Sequence, residues 1–285
     1  MSSNVLRAFS SIAAFRNNDL SSYSSTYEIR INAVGEQLEY FIKDAFANSF
    51  AVVGQDRKHE AHQNIFSYLG TQNNPPDMMV NGGDAFEVKK IQGMYNSLAL
   101  NNSPPKDRLY RSDPRITRHC RDIESGWSEK DLFYIVGYVQ KKRIKHLFFV
   151  HGKCYAAEKS VYESVEAPLK REITSMITTR GLEGGKTIEL GKVKRVDPLH
   201  ITDLRVRGMW SIANPLKVFS YAYEFDPHKQ FSMVALMEKT RYLQYPYDDR
   251  NAIENSPLVK IRDALVRDPN NPARNVEAKM ITAWW

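Results

Sequence analysis

The sequence predicts an α/β fold, a mixed central β-sheet flanked by helices, and three observations carry that reading. Ile29 to Phe50 has apolar residues at helical spacing (Val34, Leu38, Phe41, Ile42, Ala45, Phe46), which makes one buried stripe. DLFYIVGYV (Asp131 to Val139) and HLFFVHG (His146 to Gly152) are nearly continuous runs of aromatic and β-branched residues, as expected of strands covered on both faces. CYAAEKSVYESVEAPLKREITSMI, from Cys154 to Ile177, returns to a helical pattern.

Before the first of these segments, Val5, Leu6, Phe9, Ile12 and Ala13 predict an N-terminal helix, followed by a polar stretch from Asn17 to Thr26. The Ser-rich start carries arginines and no acid before Asp19, so it superficially resembles a transit peptide, but its apolar run is too short and interrupted for a secretory signal. After the amphipathic helix, NIFSYLG (Asn64 to Gly70) reads as a strand and TQNNPP as a loop whose prolines forbid helix. A hairpin follows in NPPDMMVNGGDAFEVKKIQ, Asn74 to Gln92, with Asn81-Gly82-Gly83 at its turn. Asn101 to Asp113 is a proline- and charge-bearing surface loop, and ITRHCRDIE adds a short helix. The basic turn QKKRIK separates the two apolar strands, which gives an α-β-β-β-β-α order by about residue 177.

Beyond residue 178, glycine, basic and aliphatic residues alternate through RVRGMW, which suggests short strands and loops. KVFSYAYEF is read as a strand, VKIRDALVRD as a helix, and a Pro/Asn turn leads to an apolar end. The length suits one compact domain over 1–285, with a core over about 27–177 and recognition and dimerisation elements over about 178–285.

Composition narrows the function. Forty Lys and Arg against thirty-three Asp and Glu give a net charge of +7, a balance that favours polyanionic partners without the density of a histone-like tail. Cys120 and Cys154 are the only cysteines, with no CxxC pair, so the chain is neither a disulfide scaffold nor a structural zinc domain, and a reducing cytoplasm fits. No apolar run approaches the length of a membrane span.

The hairpin carries the chemistry. Side chains alternate along a strand, so Glu87 and Lys89 share one face while Phe86 and Val88 point toward a core. With a three-residue loop Val80 pairs with Asp84, and Asp77 then falls opposite Glu87 on the same face. A two-residue turn would send Asp77 to the wrong side, and a bulge or Asp84 would then have to serve, although Asp84 has the opposite parity to Glu87. Two carboxylates can hold Mg²⁺ through hard oxygen ligands and leave positions for water and a phosphate oxygen; a nearby lysine can orient or deprotonate the attacking water. Glu39 lies on the border of the helix stripe and could supply a further ligand, whereas Glu36 points almost opposite to it. Gln92 could hydrogen-bond substrate.

Arg205 and Arg207 share a strand parity and would form a two-pronged arginine face, suited to guanine edges or to phosphates. The basic stretch from Lys106 to Arg121, with Arg108 and Arg111, could clamp a nucleic-acid backbone beside the hairpin, where Lys90 adds another cation.

PPD-x9-EVKK after a helix with GxxxE resembles the PD-(D/E)XK nuclease superfamily. NNPPDMMVNGGDAFEVKKIQ, the SPPK near Pro104, HGKCYAA and RVDPLHITDLRVRGMW are further similar to the NgoPII-like type II restriction endonucleases. The resemblance implies a restriction-endonuclease-like core and a homodimeric, Mg²⁺-dependent, site-specific deoxyribonuclease. Such an enzyme cuts both strands of a short GC-rich palindrome such as GGCC, leaves 5′-phosphates, and is accompanied by a cognate DNA methyltransferase. It places the metal-binding acids on Asp77 and Glu87 and the catalytic lysine on Lys89. Two other readings of the same residues are a structure-selective repair or recombination nuclease and a non-catalytic sequence-specific DNA-binding protein.

Overall fold

A computed structural model of the chain describes residues 3–21, 33–71 and 74–285. The helices are α1 (Val5–Phe15), α2 (Ala33–Ala47), α3 (Gln55–Ile65), α4 (Arg118–Asp122), α5 (Gly152–Tyr155), α6 (Lys159–Thr179), α7 (Pro215–Val218), α8 (Lys239–Gln244) and α9 (Tyr247–Glu254). The strands are β1 (Phe66–Thr71), β2 (Asn74–Val80), β3 (Ala85–Ile91), β4 (Leu98–Asn101), β5 (Arg108–Tyr110), β6 (Glu129–Gln140), β7 (Arg143–His151), β8 (Gly191–Val193), β9 (Leu204–Val206), β10 (Trp210–Ile212), β11 (Ser232–Glu238), β12 (Lys260–Asp268) and β13 (Asn271–Trp284).

Eight strands form the continuous path β1-β2-β3-β6-β7-β11-β13-β12, and β5 adds to the start of β6. The sheet is mixed: β3 runs parallel to β6 and β7 parallel to β11, while the other neighbours are antiparallel. The fold class is therefore an α/β sheet of the predicted kind. Strand parity divides its core in two. Phe86, Val88, Phe133, Ile135, Leu147 and Phe149 pack with α1 and α2 on one face. Ala85, Leu132, Tyr134, Val136, Phe148 and Val150 pack with α4, α5 and α7 on the other. Burial on both faces explains why β6 and β7 read as unbroken apolar runs. Lys141 and Lys142, both at positive φ (49° and 59°), make the two-residue turn between them, the conformation that matches strand twist.

Asn4 caps α1 by accepting from the backbone N–H groups of Leu6 and Arg7, and the five residues that predicted this helix are all buried. In α2, Leu38, Phe41, Ile42, Ala45 and Phe46 form the buried stripe, whereas Ile29 to Asn32 and the side chain of Val34 lie outside the described residues.

Four local readings change. Asn64 and Ile65 close α3, an element not foreseen, and β1 begins at Phe66. Pro75 and Pro76 belong to β2, opposite a register break between Leu69 and Thr71 where no ladder N–H is required. There Gly70 comes so close to Pro76 that a Cβ would lie 2.2 Å from its carbonyl oxygen. KVFSYAYEF is not a strand but α7 and the turns after it, its Phe219 and Tyr223 capping Phe148. VKIRDALVRD is not a helix but strand β12, paired along its length with β13. The last two corrections shift the sheet: β11, β12 and β13 all come from residues 232–284, so the central sheet is not completed by residue 177.

Candidate active site

The Asn81-Gly82-Gly83 turn is a three-residue loop. Val80 N–H donates to the Asp84 carbonyl at 3.0 Å and Gly83 N–H to the Val80 carbonyl at 2.8 Å, with Gly82 at φ 66°. Met79 pairs with Ala85 and Met78 with Phe86, so the register, continued one step, sets Asp77 opposite Glu87. At that step the backbone ladder gives way to a side chain: Val88 N–H donates to Asp77 Oδ2 at 2.6 Å. The carboxylate is thus fixed at the point where β2 and β3 separate.

Lys89 Nζ lies 2.8 Å from Glu87 Oε2 and 3.7 Å from Asp77 Oδ2. These three side chains line a cleft of about 230 Å³ together with Lys106, Arg115 and Tyr134. Asp84, of opposite parity, is directed elsewhere. Its two oxygens accept from Arg241 at 2.6 Å and the Tyr245 hydroxyl at 2.8 Å in a buried network with Asp131 and His151.

Burial pushes the Asp77 carboxyl up to about 7; the neighbouring Glu87 charge adds to the rise, and Lys89 and the Val88 N–H only partly oppose it. Burial alone would lower Lys89, but the Glu87 and Asp77 carboxylates outweigh it and hold the ammonium above its ordinary range. Lys89 is therefore a firmly charged cation committed to Glu87, which leaves Asp77 under-neutralised.

A carboxylate pair with excess negative charge and hard oxygen donors fits a divalent cation such as Mg²⁺. Among the described residues no group of three or more His, Cys, Asp or Glu side chains is arranged to hold a metal. Asp77 and Glu87 are two carboxylates on this wall that could hold such a cation, with water or substrate oxygens completing its shell. Glu39 pairs loosely with Lys43 at 3.8 Å. Burial raises its pKa, and the charges of Lys89 and Glu87 both act on it, so it borders the cluster from α2. Glu36 is exposed, and so is Gln92, beyond the end of β3.

The cationic residues are distributed unevenly. Lys90 follows Lys89 with opposite parity and is not on the cleft wall. Arg108 pairs with Glu129 and Asp131, and Arg111 with Asp122. Within the same basic stretch Lys106 and Arg115 reach the cleft, Lys106 through Ser103 and Asp113, Arg115 anchored on Glu166 at 2.5 Å. Their signal was the SPPK and DPR loop segments, but which cations turn inward depends on Asp113 and Glu166. Arg205 and Arg207 share a face, as their parity predicts, and both meet the buried Glu189 carboxylate at 2.8 Å, Arg205 through two nitrogens and Arg207 through Nε alone. Ile188, next to Glu189, lines the cleft.

A mixed α/β sheet covered by helices on both faces, with this acid-acid-lysine group where two strands part, has the architecture of a restriction-endonuclease-like core. The profile of the NgoPII restriction endonuclease family matches residues 3–267. The chain is 43% identical over 255 residues to the type II restriction enzyme NgoPII of Neisseria gonorrhoeae, across 89% of this chain and 90% of that protein. It belongs to the NgoPII restriction endonuclease family. No solved structure matches it. Among the described residues no helix is long and apolar enough to cross a membrane.

Proposed function

We propose that this member of the family is a cytoplasmic, Mg²⁺-dependent type II restriction endonuclease. On this reading it hydrolyses both strands of duplex DNA at a short GC-rich palindrome, with GGCC the site the family resemblance implies, and leaves 5′-phosphates. The observation that carries the reading is the convergence of Asp77, Glu87 and Lys89 on one cleft wall, with Asp77 insufficiently neutralised by the chain itself.

Asp77 and Glu87 would hold the cation, with Glu39 available to a water at the edge of the cluster. The cation, when bound, lowers the pKa of a water and offsets charge that builds on phosphorus. Lys89, on the same face as both carboxylates, orients or deprotonates the attacking water and stabilises the negative charge that builds on the phosphoryl group. Tyr134 shapes the floor: its hydroxyl accepts from Lys106 N–H at 2.7 Å and donates to the Lys106 carbonyl, which fixes the loop that carries that lysine into the cleft. Arg205 and Arg207 read base edges or the flanking phosphates, and Arg108, Arg111 and Lys90 contribute to the electrostatic grip on the backbone. A palindrome is matched by a two-fold dimer, and a methyltransferase of the same specificity protects the host's own sites.

Incubation of plasmid DNA with the protein and Mg²⁺ should give discrete fragments, none with EDTA, and a rate roughly 10²–10³-fold lower for Lys89→Ala. Sequencing the fragment ends reads the site. Smeared or junction-restricted products would favour a repair nuclease, and binding without cleavage would end the catalytic reading.

A further inference from the structure

Two cations on the cleft wall, Lys106 and Arg115, come from outside the hairpin. Their ties lead away from Asp77, Glu87 and Lys89. Lys106 Nζ donates to Ser103 Oγ at 2.8 Å and lies 3.2 Å from Asp113 Oδ2. Arg115 donates through Nε to the Asn102 carbonyl at 3.2 Å and through Nη2 to Glu166 Oε1 at 2.5 Å. An ammonium has three N–H donors and a guanidinium five, so each side chain is held by two ties and keeps N–H groups for a further acceptor. Nη1 of Arg115 stands 4.0 Å from Asp113 Oδ1, beyond hydrogen-bonding range. By contrast, Arg108 and Arg111 of the same stretch are paired with Glu129, Asp131 and Asp122 and do not line the cleft.

The loop that carries this pair is fixed at several points. Buried Tyr134 of β6 binds both backbone groups of Lys106. α5 abuts the loop at Gly152, where a Cβ would stand 2.3 Å from the Asp107 carbonyl oxygen and 2.8 Å from that of Lys106. Asp113 joins the two cations: Oδ1 accepts the Arg115 backbone N–H at 2.9 Å while Oδ2 meets Lys106. Arg121 in turn holds the Arg111 and Asp113 carbonyls. Attaching α6 to the core would require the Arg115–Glu166 pair alone, and not a lysine pinned beside it on the cleft wall. Asp113 and Glu166 balance the two positive charges, so the pair offers an anion placed N–H donors at close range. Phosphodiester oxygens are the anions that a duplex brings into such a cleft, and charge-assisted donors suit them.

We propose that Lys106 and Arg115 form a seat for one backbone phosphate flanking the phosphodiester that is cut. The phosphate to be cut belongs with Lys89 and the Asp77–Glu87 pair; the ties of Lys106 and Arg115 to Ser103, Asp113 and Glu166 set them apart as the seat of another phosphate of the same strand. The proposal deepens, and rests on, the reading of the protein as an enzyme that cuts DNA. It also relates the cleft to the arm that bears Arg205 and Arg207. One helical turn after Glu166, Lys170 of α6 donates to the Thr187 carbonyl at 2.9 Å, two residues before the Glu189 that holds both arginines.

Charge-neutral phosphate analogues test the seat. The substrates are short duplexes that carry the site read from the plasmid fragments, each with a methylphosphonate in place of one phosphate flanking the cut, and kcat/KM is measured in Mg²⁺. For the wild type, neutralising one flanking phosphate should lower kcat/KM about tenfold, the scale of a hydrogen bond to a charged group. Arg115→Gln and Lys106→Met should each be slower on the unmodified duplex and should show a smaller further loss at that one phosphate; the double variant should show none. At the other flanking phosphates all variants should lose as much as the wild type. Thermal melting identifies a variant that does not fold, and the two single variants probe the seat separately. Variants whose losses match those of the wild type at every phosphate would overturn the seat and leave the cutting enzyme intact, as would a wild type indifferent to every flanking methylphosphonate. A wild type that cuts no duplex would overturn both.

Discussion

Replacing Asp77 with asparagine should stabilise the metal-free protein at pH 8 while it abolishes cleavage. In the folded chain burial and Glu87 raise Asp77 from an ordinary 3.8 to about 7. A carboxyl with a raised folded pKa keeps its full contribution below its unfolded value and loses it as pH rises through the folded one. Below pH 4 the proton is bound in both states and nothing is lost. Between pH 4 and 7 the unfolded chain releases a proton that the fold retains, and stability falls by about 1.4 kcal/mol per pH unit. By pH 8 the accumulated cost is on the order of 4 kcal/mol. Asparagine carries no charge, and its carbonyl oxygen can still accept the Val88 N–H.

At roughly 2 °C of Tm per kcal/mol for a chain of this size, Asp77→Asn should melt about 8 °C above the wild type at pH 8 and level with it at pH 4. Scanning fluorimetry in EDTA measures both. Adding Mg²⁺ at pH 8 should raise the wild-type Tm far more than that of the variant, because only the wild type gains a ligand for its unneutralised carboxylate. A wild-type Tm that does not fall between pH 4 and 8 relative to the variant would refute the argument that Asp77 is held protonated by its surroundings, as would a variant destabilised equally at both pH values.

Three further outcomes follow from groups away from the cluster. Asp84→Ala removes the closer of the two carboxylates that hold the Arg241 guanidinium and leaves it Asp131 at 3.3 Å, which should cost about 2–3 kcal/mol in urea denaturation, whereas Tyr245→Phe, which removes one hydrogen bond to the same carboxylate, should cost about 1 kcal/mol. Burial lowers His146 from 6.5 to about 3; a depressed base makes the fold lose stability as pH drops below its unfolded value, so the wild type should lose about 3 kcal/mol between pH 6.5 and 4.5, and His146→Phe should lose correspondingly less over the same interval. Gly70→Ala drives a Cβ into the Pro76 and Asn74 carbonyls and should cost roughly 1–3 kcal/mol; it should also depress cleavage, since the displaced backbone leads directly to Asp77, and a variant with wild-type stability and rate would show that the close approach is not required.

The geometry of the candidate hairpin was legible in the sequence because its logic is local. Parity alone puts Glu87 and Lys89 together, and one turn length decides where Asp77 falls. The apolar runs of β6 and β7 were equally plain, since burial on both faces leaves no polar alternation to interpret. Sequence reading failed where a distant partner decides the conformation. VKIRDALVRD satisfies a helical spacing as well as a strand one; β13, reached after the Asp268–Asn271 turn, supplies the ladder that settles it, and its charged, exposed positions are those of a sheet edge. SMVALME has one β-branched residue and no aromatic, against one β-branched and four aromatic residues in the preceding KVFSYAYEF, yet six of its seven residues are buried because β7 and β13 flank it. The same distinction governs the cations. Strand parity predicted that Arg205 and Arg207 face one way, but the carboxylate that holds both, Glu189, is sixteen residues from Arg205 and is brought there by the β8–β9 pairing. Glu189 holds both side chains by ion pairs, and a guanidinium held in place before it meets a partner loses less entropy on binding. The residues proposed to perform chemistry can therefore be read within one hairpin, whereas the carboxylates that hold the cations in place, Glu189 for Arg205 and Arg207 and Glu166 for Arg115, become visible only when the fold has brought them within hydrogen-bonding range.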